Sequence, residues 1–230
     1  MGKPIQRGIR FQANGGLSPG EGEFYVYGAG GHGKVAASLL QDSGGEVVGF
    51  LDDDSEKVGS QVLGAPILGG WAYLEKVLLK KKYHKLKFVV GIGDNHNRKK
   101  IFEKLKGLGI KLVSAIHPSC VIHSSVLISE GTVVMPGVII NAESRIGKNV
   151  ILNTGVSVDH DCVVEDHVHL APGAVLAGGV HVEKESFVGA GAVLIPGVKI
   201  GANSVIGAGA VVLKDIPSGE KAVGVPAKIV

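Results

Sequence analysis

Residues 146–182 read IGKNVILNTGVSVDHDCVVEDHVHLAPGAVLAGGVHV, with an aliphatic residue at every sixth position: Ile146, Leu152, Val158, Val164, Leu170, Leu176 and Val182. The spacing runs outward in both directions, back through Ile140, Val134 and Ile128 to Ile122, and on through Val188, Leu194, Ile200 and Ile206 to Val212. Four residues after most of these comes a small or β-branched side chain, as at Thr132, Ser144, Val156, Cys162, Ala174, Ser186, Ala192, Ser204 and Ala210. A helix repeats every ~3.6 residues and a strand every second residue, so neither holds a strict period of six over about ninety residues. A hexapeptide solenoid does. Each hexad is one short side of a coil, and its aliphatic residue points inward to stack on its equivalents above and below.

Composition agrees with a fold of tight corners. The 230 residues include 36 glycines, hydrophobic residues make up 45% and aromatics only 5%, so the core is not built on large rings. That length allows one large domain or two modest ones. The net charge of +3 is too small to argue for nucleic acid as a partner. The only cysteines, Cys120 and Cys162, have no paired spacing, which argues against a disulfide framework or a cysteine zinc site and fits a reducing, cytoplasmic setting. No run of eighteen apolar residues and no apolar signal-peptide core are present, so no membrane partner is expected.

Taken in order, residues 1–22 lack periodicity and are expected to be a flexible leader. Residues 23–116 alternate strand and helix: strands at Glu23–Tyr27, Glu46–Leu51, Lys87–Ile92 and Lys111–Ser114, and helices at Lys34–Gln41, Trp71–Lys82 and Asn95–Leu108, with a turn around Gly64-Ala65-Pro66. This predicts a small Rossmann-like parallel sheet domain. The solenoid occupies 117–218, and 219–230 leaves the repeat as a C-terminal cap. The fold class is therefore α/β plus β-solenoid. The lysine-rich runs Lys76–Lys87 and Arg98–Lys106 read as solvated helix faces.

Gly28-x-Gly30-x-x-Gly33 falls after the first strand and before a helix, with Asp52 and Asp53 at the end of the next strand. Glycines let backbone approach a diphosphate, and the helix N-terminus offers free N–H groups. NAD is the first candidate for such a loop, but the domain has only half of a dinucleotide fold and a solenoid follows it. A nucleotide-sugar suits that size better. His32 is unusual in a loop that favours small residues and would point beyond the diphosphate towards substrate. Gly93 lies at the same carboxyl edge of the sheet, where open α/β folds place ligands.

Six of the nine histidines lie from His117 onward, and none takes an inward position. His160 stands between Asp159 and Asp161; a carboxylate beside an imidazole orients it and raises its pKa, as suits a general base. The histidine spacings argue against a metal site.

These features together resemble a known family. The hexads and the ending Val223-Gly224-Val225-Pro226-Ala227-Lys228 are similar to the left-handed β-helix acyltransferases, which use acetyl-CoA. With Tyr27-Gly28-Ala29-Gly30-Gly31-His32-Gly33-Lys34, Phe50-Leu51-Asp52-Asp53 and Gly91-Ile92-Gly93-Asp94-Asn95, the chain resembles the nucleotide-sugar N-acetyltransferases of the bacillosamine and perosamine pathways and the related sialic acid O-acetyltransferases. The resemblance implies a left-handed β-helix and acetyl-CoA as co-substrate with no metal. It also implies a homotrimer and a UDP-, GDP- or dTDP-linked amino sugar as acceptor. It makes His160 the general base, with Asp161 increasing its basicity and Asn153 near the reacting centre. Gly30, Gly31, His32, Asp52, Asp53 and Gly93 would contact the nucleotide-sugar, and His169, Ala190 and Ala208 would line the acetyl-CoA groove. O-acetylation of a sugar is the nearest alternative, an NAD-linked oxidoreductase or a non-catalytic trimeric scaffold more remote ones.

Overall fold

The computed structural model describes residues 9–10, 23–78, 80 and 86–230. From the leader, Ile9–Arg10 (β1) pairs antiparallel with Leu127–Ile128 at the start of the solenoid; the rest of the expected flexible leader lies outside the described residues.

The α/β unit runs β2 (Glu23–Tyr27), α1 (Gly31–Asp42), β3 (Glu46–Leu51), β4 (Gln61–Val62), β5 (Ala65–Gly69), α2 (Trp71–Tyr73), β6 (Lys87–Val90), α3 (Asn95–Gly107) and β7 (Lys111–Leu112). Sheet order is β4-β5-β3-β2-β6-β7, parallel except for the antiparallel β4/β5 pair. The central strand β2 is buried on both faces, Phe24 and Val26 on one and Tyr25 and Tyr27 on the other, as a parallel strand covered on both sides must be. Two details depart from the sequence reading. The expected turn at Gly64-Ala65-Pro66 begins a strand, because the chain reverses earlier, at Leu63 and Gly64, both with positive φ. The helix expected over Trp71–Lys82 is α-helical over Trp71–Tyr73, passes through a π-helical turn over Leu74–Leu78 and is helical again at Lys80, the other positions of its C-terminal end lying outside the described residues.

The solenoid is a left-handed parallel β-helix. Its strands are two residues long and pair in parallel with partners eighteen residues away, as in Leu127↔Arg145↔Val163↔His181↔Lys199. Three hexads thus make one coil. The second residue of each strand points inward, and Ile128, Leu152, Val158, Leu170, Val182 and Ile200 belong to one buried column. That column begins one hexad before the sequence series, at Ile116 in the strand Ala115–Ile116. Past Val212 it continues through Ile216 and Ala222, and Lys221–Val223 pairs parallel with Val205–Ile206. The small residues four positions on have a physical use. Thr132, Ser144, Ser186 and Ser204 are fully buried, and their hydroxyls donate to Gly147 O, Asp159 O, Gly201 O and Pro217 O at 2.8, 2.6, 2.8 and 2.7 Å, so each satisfies a corner carbonyl that would otherwise be stranded.

The two units share a core. Ala115, Val133 and Ile151, the outward residues of one solenoid ladder, are buried in the same apolar cluster as Ala29, Ala36 and Leu40 of the α/β unit. The next residues up that ladder are His169, Phe187 and Val205, which places them beside the carboxyl edge of the sheet.

Candidate active site

The glycine loop is held by interlocking backbone. Gly28 has φ of 104° and donates its N–H to Leu51 O at 2.6 Å. A Cβ on Gly33 would sit 1.9 Å from Gly28 O, and one on Gly91 would sit 2.6 Å from Gly33 Cα. These three positions accept glycine because the chain crosses itself there. Gly30 and Gly31 differ: a Cβ on either would meet nothing within 4 Å, and one on Gly93 would meet only His32 Cβ at 3.9 Å. The residues expected at the ligand are thus the glycines that face open space.

The acidic pair is tied to the frame of the loop. Asp52 Oδ2 accepts from Ala29 N at 2.8 Å, Asp52 Oδ1 from Asp54 N at 3.0 Å, and Lys57 Nζ donates to both oxygens at 3.2–3.3 Å. Asp53 Oδ1 accepts from Tyr27 Oη at 2.8 Å and Trp71 N at 2.9 Å. Both carboxylates therefore have work in fixing the strand ends, whatever else they contact.

Across the interface stand two histidines from different units. The rings of His32 and His169 are 6.4 Å apart, and Phe187 packs edge-on against His169 at 5.1 Å. Burial, reinforced by the Arg98 charge, lowers the His32 pKa to about 4; burial, Arg98 and His32 lower that of His169 to about 3. Both are neutral at physiological pH. Asn153 Oδ1 accepts from Thr154 N at 2.9 Å, which turns its Nδ2 to His169 Nε2 at 3.3 Å. With Nε2 accepting, the His169 proton sits on Nδ1. His32 Nε2 and His169 Nδ1 are buried without hydrogen-bond partners among the described residues. A cleft of about 360 Å³, lined by Gly93, Asn95, Phe187 and Val205 among others, opens beside them.

Arg98 corrects the reading of Arg98–Lys106 as a solvated face. It is 1% exposed and bridges the two units. Its Nε donates to Asn149 O at 3.1 Å, Nη1 to Gly93 O at 3.0 Å, and Nη2 to Asn95 Oδ1 and His167 O at 2.8 Å each. Burial lowers its pKa to about 9, so it remains a cation at neutral pH. His167 is likewise buried although it lies off the solenoid core; its Nδ1 pairs with Asn149 Nδ2 at 2.8 Å. An outward position in the hexad register therefore does not mean exposure where the α/β unit covers it.

His160 lies on a different edge of the prism, with its side chain 61% exposed. Its backbone N–H donates to Asp159 Oδ1 at 2.8 Å, and Nδ1 pairs with Asp161 Oδ2 at 2.8 Å. Asp161 occupies a corner with φ of 59°, a conformation that Asp tolerates, so the fold itself sets a carboxylate beside the imidazole. The Asp161 hydrogen bond and then the Asp159 charge raise the His160 pKa. Nδ1 holds the proton against the carboxylate, and Nε2 is left as acceptor. Thr154, Pro172, Ala190 and Ala208 recur at eighteen-residue intervals along another edge, where Ala190 and Ala208 are exposed and Gly209 N donates to Ala190 O at 2.8 Å. Asn153 and His169 adjoin that edge. One face separates it from His160, and the outward residues of that face are Val121, Ile139, Ser157, Val175, Val193 and Val211.

A left-handed prism of hexads joined to a small α/β unit is the architecture of the hexapeptide transferases. The matched family models are the PglD N-terminal domain over residues 23–105 and the bacterial transferase hexapeptide (six repeats) over 143–178 and 179–214. Among solved structures, a histidine-to-alanine variant of GDP-perosamine N-acetyltransferase from Caulobacter crescentus, in complex with CoA and GDP-perosamine, is 43% identical with a TM-score of 0.85, over 91% of this chain and 97% of that one. The acetyltransferase domain of PglB from Neisseria gonorrhoeae, in complex with acetyl coenzyme A, is 36% identical with a TM-score of 0.84, over 92% and 100%. UDP-N-acetylbacillosamine N-acetyltransferase of Bacillus subtilis is 39% identical over 114 residues; that match spans 48% of this chain and about half, 50%, of the relative. The chain belongs to the hexapeptide-repeat family of nucleotide-sugar N-acetyltransferases, which use acetyl-CoA as co-substrate.

Proposed function

We propose that this chain acetylates the C4 amine of a nucleotide-linked amino-deoxy sugar, with His160 as general base. The amine nitrogen attacks the thioester carbonyl of acetyl-CoA while His160 Nε2 takes its proton. The tetrahedral intermediate then expels coenzyme A thiolate, which recovers the proton from the imidazolium. The observation that carries this reading is the His160–Asp161 pair, 2.8 Å apart at the Nδ1 end, which leaves Nε2 to face an incoming amine. Binding both substrates at one place supplies the proximity such a bimolecular transfer needs.

In this reading the nucleotide-sugar lies over Gly30, Gly31 and Gly93 with His32 beyond the diphosphate, and Asp52 and Asp53 hold the loop in shape as they contact it. Acetyl-CoA runs along Ala190 and Ala208 towards His169 and Asn153. Three copies complete the site, one chain supplying His160 and its neighbour the CoA row. In support, Val121 is 65%, Ile139 42%, and Val175 and Val193 each 37% exposed on the face between those two edges, a row that is apolar apart from Ser157 and of the kind that marks an interaction site. Both cysteines are free, in keeping with a cytoplasmic enzyme, and no helix among the described residues is long and apolar enough to cross a membrane.

A panel of UDP-, GDP- and dTDP-linked 4-amino sugars, assayed for thiol release from acetyl-CoA, tests the proposal. One member is expected to release thiol with matching N-acetyl product; release only with hydroxyl-bearing acceptors would move the assignment to O-acetylation. The pH profile gives a second check. His160 works as the neutral base, and its pKa is raised above the ordinary 6.5 by Asp161 and then Asp159, so kcat/KM should fall on the acid side with a midpoint above 6.5. Asp161→Asn should move that midpoint down towards 6.5 while lowering the plateau. An unmoved midpoint would show that another group titrates.

A further inference from the structure

We infer that Gly178 is a positioning residue for the transfer: its bare Cα is the floor on which the His160 ring rests. The inference rests on the general-base reading of His160. Gly178 is the equivalent of His160 one coil on, eighteen residues away. A Cβ placed there would lie 2.6 Å from both Cε1 and Nε2 of His160 and 3.3 Å from Cδ2. The atoms that would be struck include the proton-accepting nitrogen itself.

Backbone conformation does not call for glycine at this point. The left-handed corner residue is Gly179, with φ of 70°, and its equivalents at 143 and 161 are Glu and Asp; φ at Gly178 lies outside the left-handed region. At the positions stacked with Gly178 in other coils the chain carries Ser124, Ala142, His160 and Pro196, so the repeat accepts side chains here. Glycine stands in the one coil that lies directly over the imidazole. Asp161 fixes the ring at Nδ1, and Gly178 lets the opposite edge settle against the coil. Two constraints at opposite ends of the ring define where Nε2 meets the amine.

A Cβ at this position is cheap for the fold and costly for the chemistry. The group it displaces is the far end of an exposed side chain, which swings outward without disturbing the column of Ile, Leu and Val inside. A displacement of ~1 Å at a reacting group can cost about 100-fold in rate. Gly178→Ala is therefore expected to lower kcat by about 100-fold, with KM for both substrates and the thermal midpoint little changed. In a His160→Ala background the same substitution should cause no further loss, because the ring it displaces is gone. A structure of the Gly178→Ala protein should show the imidazole swung off the coil. A fully active Gly178→Ala enzyme beside a crippled His160→Ala enzyme, an unmoved ring, or an equal loss in both backgrounds would overturn this role alone. A His160→Ala enzyme that keeps its kcat would overturn the general-base reading and this role with it.

Discussion

His160→Ala is expected to lower kcat by about 100-fold or more, the usual scale for loss of a general base, with little change in affinity for acetyl-CoA. The side chain is 61% exposed and outside the core column, so the folded state has little to lose when it is removed. In the proposed general-base role its contribution is confined to the moment when the amine gives up a proton. Steady-state kinetics, calorimetric titration with CoA and a melting curve on the same protein separate the alternatives: a fall in kcat at constant CoA affinity and constant thermal midpoint supports the assignment. Near-full activity would remove His160 from the mechanism.

The second large effect is expected in stability. Arg98→Ala should cost about 3 kcal/mol or more, on the scale of hydrogen bonds to a buried charge and of the acceptors left behind. The guanidinium draws together Gly93 O at the sheet edge and Asn149 O and His167 O of the solenoid. With the side chain gone, three carbonyls in a buried seam lose their donor. Arg98→Lys should rescue poorly, since one ammonium cannot reproduce a planar fork. Urea denaturation reads the loss directly. KM for the nucleotide-sugar should rise as well, because Gly93 is then free to move away from His32. An unchanged denaturation midpoint would mean that the other contacts between the units, among them the apolar seam of Ala115, Val133 and Ile151 and the Lys99–Glu185 ion pair, hold them without Arg98.

The solenoid was legible because its period belongs to the sequence itself: the inward column follows from counting sixes, and His160 from being off that count and flanked by acids. The glycine loop was legible for a similar reason, as a strand, a turn and a helix in local succession. Arg98 was hidden, since a basic residue in the run Asn97-Arg98-Lys99-Lys100 carries no mark that distinguishes the one buried cation from its solvated neighbours. The His32–His169 pair was hidden because residues 137 positions apart meet only when the units dock. The β5 strand was masked by Gly64 and Pro66, whose turn chemistry outweighed Ile67 and Leu68. His167 illustrates the remaining gap: hexad register tells which residues leave the core, and only the docked domain tells which of those are covered.

The eighteen-residue coil also sets which changes of length this chain can absorb. Loss or gain of one hexad after His160 would turn every later residue by a third of a revolution, carrying Ala190 and Ala208 to another edge while the core column stayed intact. Such a protein would fold and yet carry Ala190 and Ala208 on a different edge relative to His160. A whole coil, by contrast, raises the same residues by one rung of roughly 4.8 Å and keeps them on their edge. Between His160 and Ala208, changes in the number of hexads that keep both on their edges therefore come in eighteens, while the last coil, where Val205 pairs with Lys221, already runs two residues short.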